Sequence, residues 1–122
     1  FGYEAMGNPR YREVALGQLN WLLGGNSLGF SFVTGYGERS ASHPWHWTRA
    51  AFGKLMPGWA VGGPNQYVAG ADRLLVSVIN RGTPPAKCYV DADTPEGSWA
   101  SNEGETSENA ALVFATGYLS GE

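Results

Sequence analysis

Cysteine is nearly absent from this sequence: Cys88 is alone, so neither an intrachain disulfide nor a cysteine-based zinc site can form within the chain. A lone cysteine reads first as a small buried apolar residue. Histidine is scarce too. His43 and His46 are the two in the chain, three residues apart. On a helix that spacing can hold a metal, but Pro44 interrupts the run and no carboxylate stands near it in sequence, so no metal is assigned. No apolar run reaches the length of a membrane-spanning helix, and no charged-then-apolar leader pattern lies within the 122 residues. Internal repeats and low-complexity tracts are also missing. A net charge of −3 is the wrong sign for a nucleic-acid binder, which needs a basic face. Lysine and arginine are missing altogether between Asp91 and Glu108. That stretch holds Asp91, Asp93, Glu96, Glu103, Glu105 and Glu108 out of 11 acidic residues. The plain reading of such a run is a solvated acidic loop.

What is present is a 43% hydrophobic, 13% aromatic composition, ordinary for a folded domain. Residues 1–6 read as the tail of a helix ended by Gly7, which leads us to expect further chain before Phe1. Asn8 and Pro9 are a cap and first-turn pair. Tyr11, Val14, Ala15, Leu19 and Leu22 then recur at helical spacing and predict one buried stripe, stopped by Gly24 and Gly25. Residues 26–101 are rich in glycine and proline. Within them, residues 48–54 suggest a short helix, and residues 72–80 are apolar but ambiguous between helix and strand. Val68-Ala69-Gly70-Ala71-Asp72 superficially suggests an acidic catalytic loop, and is taken as structural. Loops of this length are uncommon in a compact domain unless they serve function. A last helix is expected from Asn102, with Glu105 completing a capping box. Residues 110–119 are apolar nearly all round, the pattern of a helix buried on every side. So few helices cannot surround such a helix. The chain therefore reads as all-α, about two to four helices with long loops, and as a piece of something larger.

Two clusters can carry chemistry. In the first, Tyr36, Arg39, Trp45, His46 and Trp47 lie on one irregular loop. Aromatic rings can stack on sugar faces while imidazole and guanidinium groups bond hydroxyls. The alternative is that the tryptophans plug the loop onto the core. In the second, Asp91, Asp93, Trp99 and Glu105 surround Glu103. A carboxylate at a helix start ordinarily complements the helix dipole. A general acid needs the opposite, a raised pKa, which burial beside Trp99 or the charges of Asp91, Asp93 or Glu105 can supply.

Taken together these segments resemble glycoside hydrolase family 9, the cellulase family built on an (α/α)6 barrel. Leu22-Leu23-Gly24 and Asn26-Ser27-Leu28-Gly29 are similar to that family's helix end and turn. Residues 31–44 fit its histidine signature, and Val61-Gly62-Gly63-Pro64-Asn65 resembles its V-G-G-P-N segment. Residues 85–91 resemble the approach to the catalytic glutamate. Trp99, Glu103, Asn109 and Ala110 match the acidic signature. The resemblance spans nearly all of residues 1–122 and implies the C-terminal portion of a family 9-like catalytic module, not a complete barrel.

By that resemblance Glu103 is the general acid of an inverting β-1,4-glucanase, with Tyr36, Arg39, Trp45, His46 and Trp47 as substrate contacts. The general-base aspartate belongs to an N-terminal motif that this chain lacks, so the chain alone is expected to be catalytically incomplete. Its partners are then a β-glucan and the remaining N-terminal part of the module, not nucleic acid or membrane. The polymeric substrate implies secretion. No cofactor is assigned. The resemblance leaves room for calcium in the intact enzyme, but Asp91 and Asp93 alone do not define a site. Two departures stand out. Trp45 and Trp47 occupy the family's histidine and arginine positions, with His46 at the variable residue between them. Glu105 replaces a small residue and Glu108 an aromatic one. Glu108, five residues beyond Glu103 and so well over one helical turn away, need not face the cleft. The departures keep two alternatives open: a non-catalytic carbohydrate-binding protein on the same fold, or a shifted, non-cellulose glycan specificity.

Overall fold

The computed structural model describes residues 7–67, 72–92, 94 and 98–120. Residues 1–6, the glycine-containing 68–71 segment and Asp93 lie outside that set. Among the described residues five α-helices follow in order: α1 Arg10–Leu22, α2 Trp47–Phe52, α3 Arg73–Asn80, α4 Trp99–Asn102 and α5 Thr106–Ser120, with a 3-10 turn at Pro85–Lys87. The sequence predicts about two to four helices with long loops, and two of these five, α2 and α4, are very short. No named strand occurs among the described residues; isolated backbone bridges tie the loops instead.

α1 begins one residue later than its sequence predicts, with Pro9 in the cap position before Arg10. The Asn8 side chain accepts from Arg10 N at 3.0 Å. The predicted buried stripe is realised only at its far end. Leu19 and Leu22 pack on Val33, Ala60 and Leu112, whereas Tyr11 and Val14 remain exposed. After α1 the Asn26 side chain reproduces a turn's hydrogen bonding. Its Nδ2 donates to Trp21 O and Phe30 O, and its Oδ1 accepts from Leu28 N. The chain then enters the core at Phe32.

Phe32 is the hub. It is fully buried, with rings of Trp21, Phe30 and Tyr89 at 5.2, 5.9 and 5.0 Å. Burial of one such ring contributes about 1.5–3 kcal/mol. Its backbone is equally committed: Phe32 N donates to Leu22 O and Val61 N donates to Phe32 O. Gly63 passes over the ring face with a φ of +84°, a backbone conformation that favours glycine. The long glycine-rich segment is therefore not loose. It is cross-linked by backbone bonds to α1 and to residues 59–63.

The ambiguous 72–80 segment is the helix α3. Asp72 caps it by accepting from Leu75 N at 2.9 Å, and its other oxygen accepts from Ser98 Oγ and Ala100 N. Asp72 is thus structural and steers α4. The last helix does not start at Asn102. Glu103 is extended, with φ −79° and ψ 137°, and α5 begins three residues later. The expected capping box fails because the Asn102 side chain is spent on His43, Asp91 and Tyr89. Glu108 caps instead, accepting from Glu105 N at 3.2 Å. Nor is α5 surrounded: Leu112 is buried, but Val113 is 71% and Phe114 62% exposed.

Candidate active site

Glu103 occupies the gap between α4 and α5, and its backbone is held from both sides. Gly62 N donates to Glu103 O at 3.1 Å on one side; on the other, Glu103 forms a parallel bridge with Trp45. Asn109 secures the next turn. Its Oδ1 accepts from Ala60 N, while its Nδ2 donates to Ala60 O and to Glu105 O. The tether brings the residue 59–65 loop against the start of α5.

The loop and the two helices enclose a pocket of about 330 Å3. Glu103, Glu105 and Glu108 contribute carboxylates to its lining, and Tyr67 and Trp99 contribute aromatic rings. Asn65 holds the backbone at the tyrosine. Its Nδ2 donates to Ala100 O at 2.9 Å, and its Oδ1 accepts from Tyr67 N at 2.8 Å. The sequence does not single out Tyr67; Asn65 stands out in it only as the end of the Gly62-Gly63-Pro64-Asn65 turn. Glu108, whose direction the sequence leaves open, lines the same pocket. The break at Glu103 and Gly104 removes the single-helix geometry that would have turned it away.

Burial, then the Glu105 charge, then the Glu108 charge push the Glu103 carboxyl above the usual carboxylate range. The helix dipole does not counteract this in the way expected from sequence. Glu105 and Glu108 occupy the start of α5, and Glu103 lies outside its first turn.

Asp91 is not among the causes of the Glu103 shift. Its Oδ2 accepts from Ser42 N and Oγ at 2.9 and 2.8 Å. Its Oδ1 accepts from His43 N at 2.7 Å and Asn102 Nδ2 at 3.0 Å. Burial raises the Asp91 carboxyl, but these donors outweigh it and the pKa ends below its ordinary value. With about four lone-pair sites filled, Asp91 has none for calcium. Among the described residues no group of three or more His, Cys, Asp or Glu is placed to hold a metal. Asp91 also supplies the carboxylate that the sequence did not place near histidine, 3.7 Å from His43 Nδ1. Burial and the Asp91 charge push the Tyr89 hydroxyl well above its usual range, so it remains a donor, to Asn102 Oδ1.

The tryptophan loop forms a neighbouring surface. Trp45 and Trp47 meet edge to face at 5.5 Å. With Pro44, His46, Arg49 and Thr94 they line a cavity of about 460 Å3. His46 caps α2, its Nδ1 accepting from Thr48 N at 3.1 Å, and its ring packs on Trp59 at 4.2 Å. Its Nε2 is thereby the protonated ring nitrogen. Trp47 is 74% exposed, so it does not plug the core. Tyr36 and Arg39 are not brought to Glu103. Tyr36 lies beside Leu19, Gly58 and Val113 at the flank of α5, and Arg39 stacks over Phe30 at 5.9 Å. Gly35 and Gly37, both at positive φ, turn the backbone around Tyr36 and carry its ring off the cleft.

The family model for glycosyl hydrolase family 9 matches residues 2–116. The chain is 36% identical over 124 residues to a cellulose 1,4-beta-cellobiosidase of Acetivibrio thermocellus, covering 98% of this chain and 13% of that protein. Among solved structures, the family 9 endoglucanase J30 superposes with a TM-score of 0.85 at 33% identity, over 96% of this chain and 21% of the other. AaCel9A, solved in complex with cellobiose-like isofagomine, superposes at 0.75 with 30% identity, over 92% and 21%. The described residues thus form a fragment of an (α/α)6 barrel, matching the C-terminal part of these proteins. This chain belongs to glycosyl hydrolase family 9.

Proposed function

We propose that this chain supplies the acid half of an inverting β-1,4-glucanase active site, with Glu103 as proton donor. The carrying observation is the Glu103 carboxyl, held above its ordinary pKa in a pocket walled by Tyr67 and Trp99. Glu103 gives its proton to the glycosidic oxygen as the bond from the anomeric carbon to that oxygen breaks. Water attacks that carbon from the opposite face, and its proton passes to a carboxylate base. In this reading that base is an aspartate in an N-terminal portion of the module; the chain spans only 13–21% of the relatives just described. The product end carries the inverted configuration. A polymeric glucan does not enter cells, so the intact enzyme acts outside them.

Trp45, His46 and Trp47 are the sugar-contact loop. Two tryptophans where a histidine and an arginine are expected exchange hydrogen bonding for stacking. That exchange fits a glycan other than plain cellulose. It also keeps alive the second reading, a module that binds carbohydrate without turning it over.

The test is an assay of the intact module and its Glu103→Gln variant on soluble β-glucans. General-acid loss costs about 10²–10⁴-fold in rate. Equal activity of the two proteins would sink the donor assignment. If neither protein turns over any glucan but both retain binding, the binding reading takes its place.

A further inference from the structure

Asn102, next to the proton donor, is fully buried, and both hydrogens and the oxygen of its side-chain amide are hydrogen-bonded. Nδ2 donates to His43 O at 2.8 Å and to Asp91 Oδ1 at 3.0 Å, and Oδ1 accepts from the Tyr89 hydroxyl. The orientation of the amide follows from its surroundings, because reversing it would set its oxygen against a carbonyl and a carboxylate. The backbone is committed too: Asn102 N donates to Ser98 O at 2.7 Å, and Asn102 O accepts from Trp45 N at 2.8 Å. One residue therefore joins three separate segments, those carrying His43 and Trp45, Tyr89 and Asp91, and Ser98 through Glu103. Asp91 accepts four donors, all from the protein, and has no lone pair to offer a sugar or a water. Groups with this accounting do not touch substrate.

We propose that Asp91 and Asn102 are positioning residues for the proton donor: the Asp91 carboxylate fixes the Asn102 amide, and Asn102 holds the Glu103 backbone and the tryptophan loop in one register. This rests on the reading of Glu103 as the acid. Its weight comes from the geometry of proton transfer. The donor must lie within hydrogen-bond reach of the leaving oxygen, and a displacement near 1 Å costs about 100-fold.

The experiment separates positioning of the acid from general structural support. In the intact module, Asp91→Asn keeps the size but presents an amino group to donors that need an acceptor. Tyr89→Phe removes only the hydroxyl given to Asn102. Each variant and Glu103→Gln is assayed on two substrates. A cellooligosaccharide needs a proton on its departing sugar; a dinitrophenyl β-cellobioside loses a phenolate that needs none. Misplacement of the acid lowers kcat on the oligosaccharide about 10–100-fold while changing the aryl glycoside less than about two-fold, with KM steady on both. A structural role lowers both alike, and that result, or no loss on either substrate, would overturn the proposal. Tyr89→Phe carries the test if Asp91→Asn does not fold. Glu103→Gln distinguishes the two ways of failing. If it shows the substrate split and the others do not, positioning alone is wrong. If it loses both substrates equally, the acid assignment fails and the positioning role falls with it.

Discussion

Trp45 and Glu103 are backbone neighbours. Trp45 N donates to Asn102 O at 2.8 Å, and Gly104 N donates to Trp45 O at 3.3 Å, closing a parallel bridge with Glu103 at its centre. On the opposite side Gly62 N binds Glu103 O. The acid therefore sits in the middle of three laterally bonded segments, although it lies in no regular sheet. These bonds tie the backbone of the tryptophan loop to that of the acid. Side-chain changes at Trp45, by contrast, leave the bridge in place, because the bonds run through main-chain atoms.

That separation makes Trp45→Ala a clean probe of sugar stacking. The ring is half-buried against Trp47, so its loss opens the 460 Å3 cavity without cutting the bridge. An aromatic stacking contact is worth about 0.5–1.5 kcal/mol, so KM for soluble β-glucan should rise about 2- to 13-fold while kcat changes little. Steady-state kinetics on the intact module measures both. Unchanged affinity would remove the stacking role.

The carboxylates at the start of α5 should set the upper pH limit of activity. Glu105 and Glu108 raise the Glu103 pKa, so they keep its proton in place to higher pH. Glu108→Gln removes the charge but leaves an amide oxygen able to accept from Glu105 N, preserving the cap. The alkaline limb of the kcat/KM profile should then move to lower pH, and Glu105→Gln should move it in the same direction. Burial is the first cause of the shift and survives both substitutions, so Glu103 does not return fully to the ordinary value. A pH profile unmoved by either change would show that these charges do not reach the acid in the intact site.

Local rules made part of this architecture readable in advance. The Asn8 and Pro9 start of α1 and the short helix near residue 48 depend on nearest-neighbour chemistry, and both appear. Glu103 could be singled out because its spacing to Trp99 and Asn109 survives in sequence. Tertiary competition decided the rest. The Asn102 cap was plausible locally, but three distant partners claim the same amide. Tyr36 and Arg39 share a loop with Trp45, yet the turns around Gly35 and Gly37 send them elsewhere. Asp91 reads in sequence as an electrostatic neighbour of the acid, whereas its oxygens are bonded to Ser42, His43 and Asn102 and it is not among the causes of the Glu103 shift.

Asp91 should accordingly matter to stability, and in a pH-dependent way. Asp91→Ala strips the acceptor from Ser42, His43 and Asn102 and should cost about 2–4 kcal/mol in unfolding free energy. Its folded-state pKa is lowered, so the ionised group stabilises the fold above the unfolded carboxylate value, and this is lost as pH falls through the folded value. The difference between the parent protein and Asp91→Asn in urea midpoint should therefore be full near neutrality and shrink on acidification. A constant difference across the carboxylate range would contradict the hydrogen-bonded, ionised state of Asp91.

The exposed face of α5 has consequences for the 122-residue chain on its own. A helix apolar nearly all round is normally buried on every side. Here Leu112 meets α1 while Val113 and Phe114 project into solvent. Contiguous apolar surface of this kind drives association. The isolated chain should self-associate with rising concentration and bind a hydrophobic dye such as ANS. Phe114→Glu should weaken both effects in the isolated chain. In the intact module, where the rest of the barrel is proposed to cover α5, the same substitution should lower the thermal midpoint by burying a charge without a partner. Size-exclusion chromatography with light scattering, dye fluorescence and thermal unfolding read these outcomes. A dye-silent monomer, or an intact module indifferent to Phe114→Glu, would mean that nothing covers this face of the helix.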